Sequence, residues 1–183
     1  VMPGVTATVL NRETKVSGYK TWVACCATLS HLVIKSDRGD KANYYCLERN
    51  RHGLTLTPKY GSFLAEMSQG VAELNEVAVA SPLDAGQVSH FGLRETLYIY
   101  MAFCAWAGKY VASAEQCQAL IRRLAGLTER LPLDEAALAE LKAVDQAVQV
   151  LRGSIPATAA ANYEQDQRLI AMYSPGIQKR ALD

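Results

Sequence analysis

No apolar run in this chain is long enough to cross a bilayer. The longest uncharged stretch in a helical pattern, Thr96 to Gly108, is about two-thirds of the ~20 residues a span needs. That segment reads as a buried helix, and no membrane partner is expected. The N-terminus has no charged leader followed by an apolar stretch, which speaks against secretion. The five cysteines are odd in number and lack framework spacing, so a reducing cytoplasm is expected and a disulfide scaffold is not. Cys-x-x-Cys and His-x-x-x-His pairs are absent, and Cys25 and Cys26, adjacent in a helix, would point about 100° apart; no metal is expected. Neither a glycine-rich phosphate loop nor a Gly-x-Ser-x-Gly nucleophile turn occurs. His90 and Glu95 have no nucleophile or third group to complete an acid–base set. On these grounds neither enzyme activity nor a cofactor is expected.

What is present is an ordinary globular composition, half hydrophobic and one fifth charged. The formal net charge of +1 conceals an asymmetry. Residues 1–60 carry nine Lys and Arg against four Asp and Glu, and residues 61–183 carry ten against fourteen. The N-terminal third is thus the part suited to phosphate. Within it, Val5 to Thr14 can form a short helix and Lys15 to Gly18 a turn. Tyr19 to Leu32 can form a second helix with Trp22, Val23, Cys26, Leu29 and Leu32 near one face. Val33-Ile34 and Tyr44 to Leu47 flank the polar segment Lys35 to Lys41 like two strands of a hairpin. Thr57-Pro58 can open a helix carrying Phe63, Leu64, Met67, Val71 and Leu74 on its apolar face. Together these predict a winged helix-turn-helix domain over residues 1–75.

Residues 75–90, with Ser81-Pro82, Asp84 and Gly86, read as a linker, and only helices follow. Leu93, Leu97, Tyr100, Met101, Cys104, Gly108 and Val111 share one helix face. Ser113-Ala-Glu-Gln116 matches a capping box, Leu131-Pro132-Leu133 breaks the helix it opens, and Asp134 and Glu135 suit the first turn of the next. Ala137, Leu141, Val144, Val148 and Leu151 alternate four and three residues apart, the spacing of a packing seam. Gly153 to Pro156 ends that unit, and a last helix from Ala157 stops at Tyr173, before Ser174-Pro175-Gly176. The predicted fold class is mainly α, with an α-helical association or partner-binding region over residues 83–175. Tyr98, Tyr100, Trp106 and Tyr110 could line an effector pocket, or serve as core or dimer interface. Cys25 or Cys26, if exposed, could act as a redox sensor.

The segment Leu32 to Cys46 resembles the wing of MarR-type winged-helix regulators. Arg49-Asn-Arg-His-Gly-Leu-Thr-Leu-Thr-Pro-Lys-Tyr-Gly61 resembles the exit of that wing and the Leu-Thr-Pro segment of LysR-type domains. The resemblance covers about a third of the chain and implies a cytoplasmic transcriptional regulator binding double-stranded DNA as a homodimer through its C-terminal helices. It implies that Ser17 caps the recognition helix, that Tyr19, Lys20 and Thr21 reach base edges, and that Lys35, Arg38 and Lys41 on the wing join the DNA contacts. Arg49, Arg51 and Lys59 would hold the phosphate backbone. The alternative is an adaptor subunit of a larger assembly, in which the winged helix and the C-terminal helices bind protein.

Overall fold

Every second residue of His31–Ser36 is buried: Leu32, Ile34 and Ser36 face inward, while His31, Val33 and Lys35 are exposed. A two-residue period marks a strand with one face in a core, and six strands stand in the N-terminal half, where helices were expected. The computed structural model describes residues 4–10, 12–36, 43–61, 64, 67–88, 90–111, 113–159 and 163–181. The chain divides into two units, Val1–Ser89 and His90–Asp183. It is an α and β protein, and the expectation of a mainly α fold is corrected.

The first unit holds β1 (Thr6–Leu10), β2 (Glu13–Lys20), β3 (His31–Ser36), β4 (Asn43–Glu48), β5 (Leu54–Lys59), β6 (Gln69–Val79) and a single turn of helix, α1 (Ala85–Val88). One antiparallel sheet runs β1-β2-β6-β5, and β3 and β4 form a second. Ala7, Val16, Ala72, Leu74 and Val77 of the first sheet share a core with Leu32, Ile34, Tyr45 and Leu47 of the second, so two inner faces close on each other. The first expected helix is β1 and the start of β2. The expected recognition helix is the end of β2, a turn-rich loop and the start of β3. Gly18, taken for a turn between helices, sits at φ +136° where the β2–β6 register shifts, a bulge inside a strand. Thr57-Pro58 opens no helix; Pro58 lies in β5, at the sheet edge where a missing N–H is tolerated. Val71 and Leu74 belong to β6, which also takes up the first residues of the expected linker; Phe63 lies outside the described residues. The hairpin is present, with Val33 opposite Cys46 and Ile34 opposite Tyr45. It covers the sheet core, and among the described residues no recognition helix precedes it.

The second unit holds α2 (Phe91–Ala107), α3 (Ala114–Glu129), α4 (Glu135–Ser154) and α5 (Tyr163–Gln178). The seam Ala137, Leu141, Val144, Val148 and Leu151 is buried against Leu93, Leu97, Tyr100, Leu120, Leu124 and Leu127. Ser113 accepts from the Gln116 amide at 3.2 Å and Asp134 from the Ala137 amide at 2.6 Å, as their positions before α3 and α4 require. The aromatic stripe is divided between core and surface. Tyr100 is buried and Trp106 stacks on Tyr163 with centroids 5.1 Å apart, whereas Tyr98 is 61% exposed and Tyr110, past the end of α2, is 39% exposed. The last helix passes through Pro175 to Gln178, beyond the stop expected before Ser174. Among the described residues no helix is long and apolar enough to cross a membrane.

Candidate functional site

Between β2 and β3 the chain forms a loop held from two sides. The Val23 amide donates to the Gly70 carbonyl at 2.9 Å, the Cys26 amide to the Ser68 carbonyl at 3.1 Å, and the Ala27 amide to Ser68 Oγ at 3.0 Å. A tight turn follows, in which the Thr28 and Leu29 amides both donate to the Cys25 carbonyl, with Cys25 itself at φ +52°. From the other side Arg49 Nη1 donates to the carbonyls of Cys26, at 2.8 Å, and Leu29, at 3.3 Å. Val23 and Cys26 are buried under the loop. Burial pushes the Cys26 thiol up, partly offset by the Arg49 charge. Gly70 passes so close beneath that a methyl group there would overlap the Cys26 sulfur and the Thr57 carbonyl. What this frame presents outward is Thr21, Ala24, Cys25 and the Trp22 indole, which is 38% exposed. An indole on a hydrogen-bonded loop offers a flat apolar face to a planar ligand at little ordering cost. The sequence reading placed Trp22 on an apolar helix face, and no local signal marks it as a presented ring.

The residues expected to meet DNA are dispersed over strands of both sheets. Ser17 Oγ accepts from the Glu76 amide at 3.0 Å and so ties β2 to β6. Tyr19 and Lys20 are half-buried in β2 opposite Glu73 and Ala72, and Thr21 begins the loop. Lys35 faces outward on β3 opposite Tyr44, and Lys59 is exposed at the end of β5 opposite Gln69. Arg49 clamps the loop, and Arg51 Nε donates to the Ala78 carbonyl at 3.0 Å. Arg38 and Lys41 lie outside the described residues. Arg51 also lines a cleft of about 460 Å³ with Glu13, Lys15, Glu48, His52 and Glu76. Its three carboxylates outnumber its two cations, and Lys15 pairs with Glu76 at 3.5 Å, so it is no phosphate site.

In the helical unit one cluster of polar groups lies inside. Asp145, 1% exposed, accepts from the Tyr100 hydroxyl at 2.6 Å, Ser174 Oγ at 2.7 Å and Gln178 Nε2 at 2.6 Å. Burial, then the Asp145 carboxylate, pushes the Tyr100 hydroxyl far above the usual phenol range. Burial and the neighbouring Cys117 push the Cys104 thiol up to about 12, which makes it inert as a nucleophile. These groups hold helices together and reach no solvent-exposed ligand. Among the described residues no cluster of three His, Cys, Asp or Glu could hold a metal.

No family model matches the chain, and no curated protein matches it. Solved structures do. Dibenzothiophene monooxygenase from Paenibacillus matches 96% of this chain at TM-score 0.65 and 12% identity. A probable acyl-CoA dehydrogenase from Mycobacterium abscessus matches 97% at TM-score 0.62 and 10% identity. The electron transferring flavoprotein of Acidaminococcus fermentans matches 97% at TM-score 0.54 and 12% identity. The chain spans 66%, 62% and 64% of these neighbours, less than two thirds of each. At such identities the likeness is one of fold. It overturns the reading as a winged-helix transcription regulator, since the fold's neighbours are acyl-CoA dehydrogenase-like and flavin proteins and strands replace the recognition helix.

Proposed function

We propose that this chain forms part of a flavin-dependent oxidoreductase of the acyl-CoA dehydrogenase type, with the Thr21–Ser30 loop taking one face of the flavin ring against Trp22. The observation that carries the reading is the likeness of fold over 96–97% of the chain to proteins named as an acyl-CoA dehydrogenase, a monooxygenase and a flavoprotein. It favours an oxidoreductase over the absence of activity suggested by the missing motifs. The residues suit the group. Trp22 supplies a flat apolar surface on a frame that does not need to order on binding, and Lys20, two residues earlier, supplies a cation for a phosphate. A bound flavin would supply two-electron, hydride-accepting chemistry. The chain's own residues stack, orient and keep water from the ring.

The test is retention of flavin. In a Trp106→Phe background, which leaves Trp22 as the one indole, added flavin should quench tryptophan fluorescence, and the 450 nm absorbance should stay with the protein through gel filtration. Trp22→Ala should weaken binding roughly 5- to 100-fold, the worth of one aromatic stack. A folded protein that retains no flavin and shows no quenching overturns the reading.

A further inference from the structure

We infer that Arg49 is the positioning residue of the Trp22 loop, fixing the presented indole from the β3–β4 hairpin; this rests on the flavin reading above only for its effect on ligand binding. The geometry begins with register. His31 pairs with Glu48, so the residue after β4 falls beside the residue before β3, and the Arg49 amide donates to the Ser30 carbonyl at 2.8 Å. From there the half-buried side chain reaches back across the loop to the carbonyls of Cys26 and Leu29. The turn uses the carbonyl of Cys25 for both of its backbone bonds, so Cys26 and Leu29 receive their donor from the guanidinium. A charged donor shared by two carbonyls is worth more than either neutral bond, and its planar, delocalised head makes it hard to replace by an ammonium. The other anchors, Ser68 and Gly70, hold Val23, Cys26 and Ala27 from the β6 side. Without Arg49 the Cys25–Leu29 turn keeps one wall and loses the other, and the segment carrying Trp22 widens its range of orientations.

Two readouts separate this inference from the flavin reading. Cys26 lies buried beneath the loop, and the other cysteines outside the helical unit, Cys25 and Cys46, are exposed. In a Cys25→Ser, Cys46→Ser background, a thiol reagent applied to the folded protein therefore reports opening of the loop at Cys26. Arg49→Met should label Cys26 at least tenfold faster than Arg49, and Arg49→Lys should fall between them with the far-ultraviolet spectrum of the parent. Flavin affinity should fall in the same order while the melting temperature of Arg49→Lys stays near that of the parent, which a purely stabilising arginine would not produce. Labelling of Cys26 at the parent rate in both variants overturns the inference. Faster labelling in a parent that binds no flavin leaves the positioning role standing and removes the flavin reading. Should Arg49→Met fail to fold, Arg49→Lys alone decides by the same comparison.

Discussion

Asp145 joins three elements through one side chain: a carboxylate of α4 with 1% exposure that accepts from neutral donors of α2 and α5. A buried carboxylate held by hydroxyl and amide donors is stable only while those donors are in place. Asp145→Asn keeps the volume but turns an acceptor into a donor facing other donors. It should lower the denaturant-derived stability of the helical unit by about 2–3 kcal/mol; a loss under about 0.5 kcal/mol, the level of a surface substitution, would mean the carboxylate is not needed. Gly70→Ala makes the opposite error, adding a methyl where the Cys26 sulfur and Thr57 carbonyl already lie. Overpacking of that kind costs about 1–3 kcal/mol, and it should release Cys26 to thiol reagents while the helical unit keeps its melting transition.

At the level of elements, α2, α3 and α4 were legible because three- and four-residue spacing, Ser113 and Asp134 as caps, and Leu131-Pro132 as a break all agree on the same boundaries. The strands were not, because a short segment such as Tyr19 to Leu32 holds apolar residues that satisfy a helical period by chance. In the fold, Val23 and Cys26 are buried by a loop and Leu32 by the next strand. The clearest alternation, in His31–Ser36, was read in part and yielded the hairpin. The end of α5 was missed for a tertiary reason: Ser174 and Gln178 are held by Asp145, and Gln178 also by the Lys142 carbonyl, bonds that carry the helix past Pro175. Ser174→Ala combined with Gln178→Leu should therefore fray the last turn, with amide exchange at residues 176–178 at least tenfold faster. Unchanged protection there would show that the helix end persists without those anchors.

For the whole molecule, the charge asymmetry that suggested phosphate binding depends on where the chain is cut. Drawn at the boundary of the units, residues 1–89 carry nine Lys and Arg against eight Asp and Glu, and residues 90–183 carry ten against ten. Glu66, Glu73, Glu76 and Asp84 reduce the excess of five to one, and two of them, Glu73 and Glu76, lie on β6 beside β2, a placement that only the topology reveals. The candidate loop was equally hidden, because Arg49 meets Cys26 and Leu29 through the β3–β4 register across twenty or more residues of chain. Titration behaviour, by contrast, follows from the helical core. The folded unit keeps the Cys104 proton up to about 12 and the Tyr100 proton higher still, whereas an unfolded thiol releases its own near 9.0. Folded values raised above unfolded ones give stability that is full below the unfolded value and is lost as pH climbs toward the folded one. The denaturation midpoint at 222 nm should therefore hold steady up to about pH 8 and then fall between 9.0 and 12. Cys104→Ala should start lower, from the lost sulfur packing, and decline less steeply over that window. Parallel declines in the two proteins would show that the buried thiol does not govern the alkaline limit of the fold.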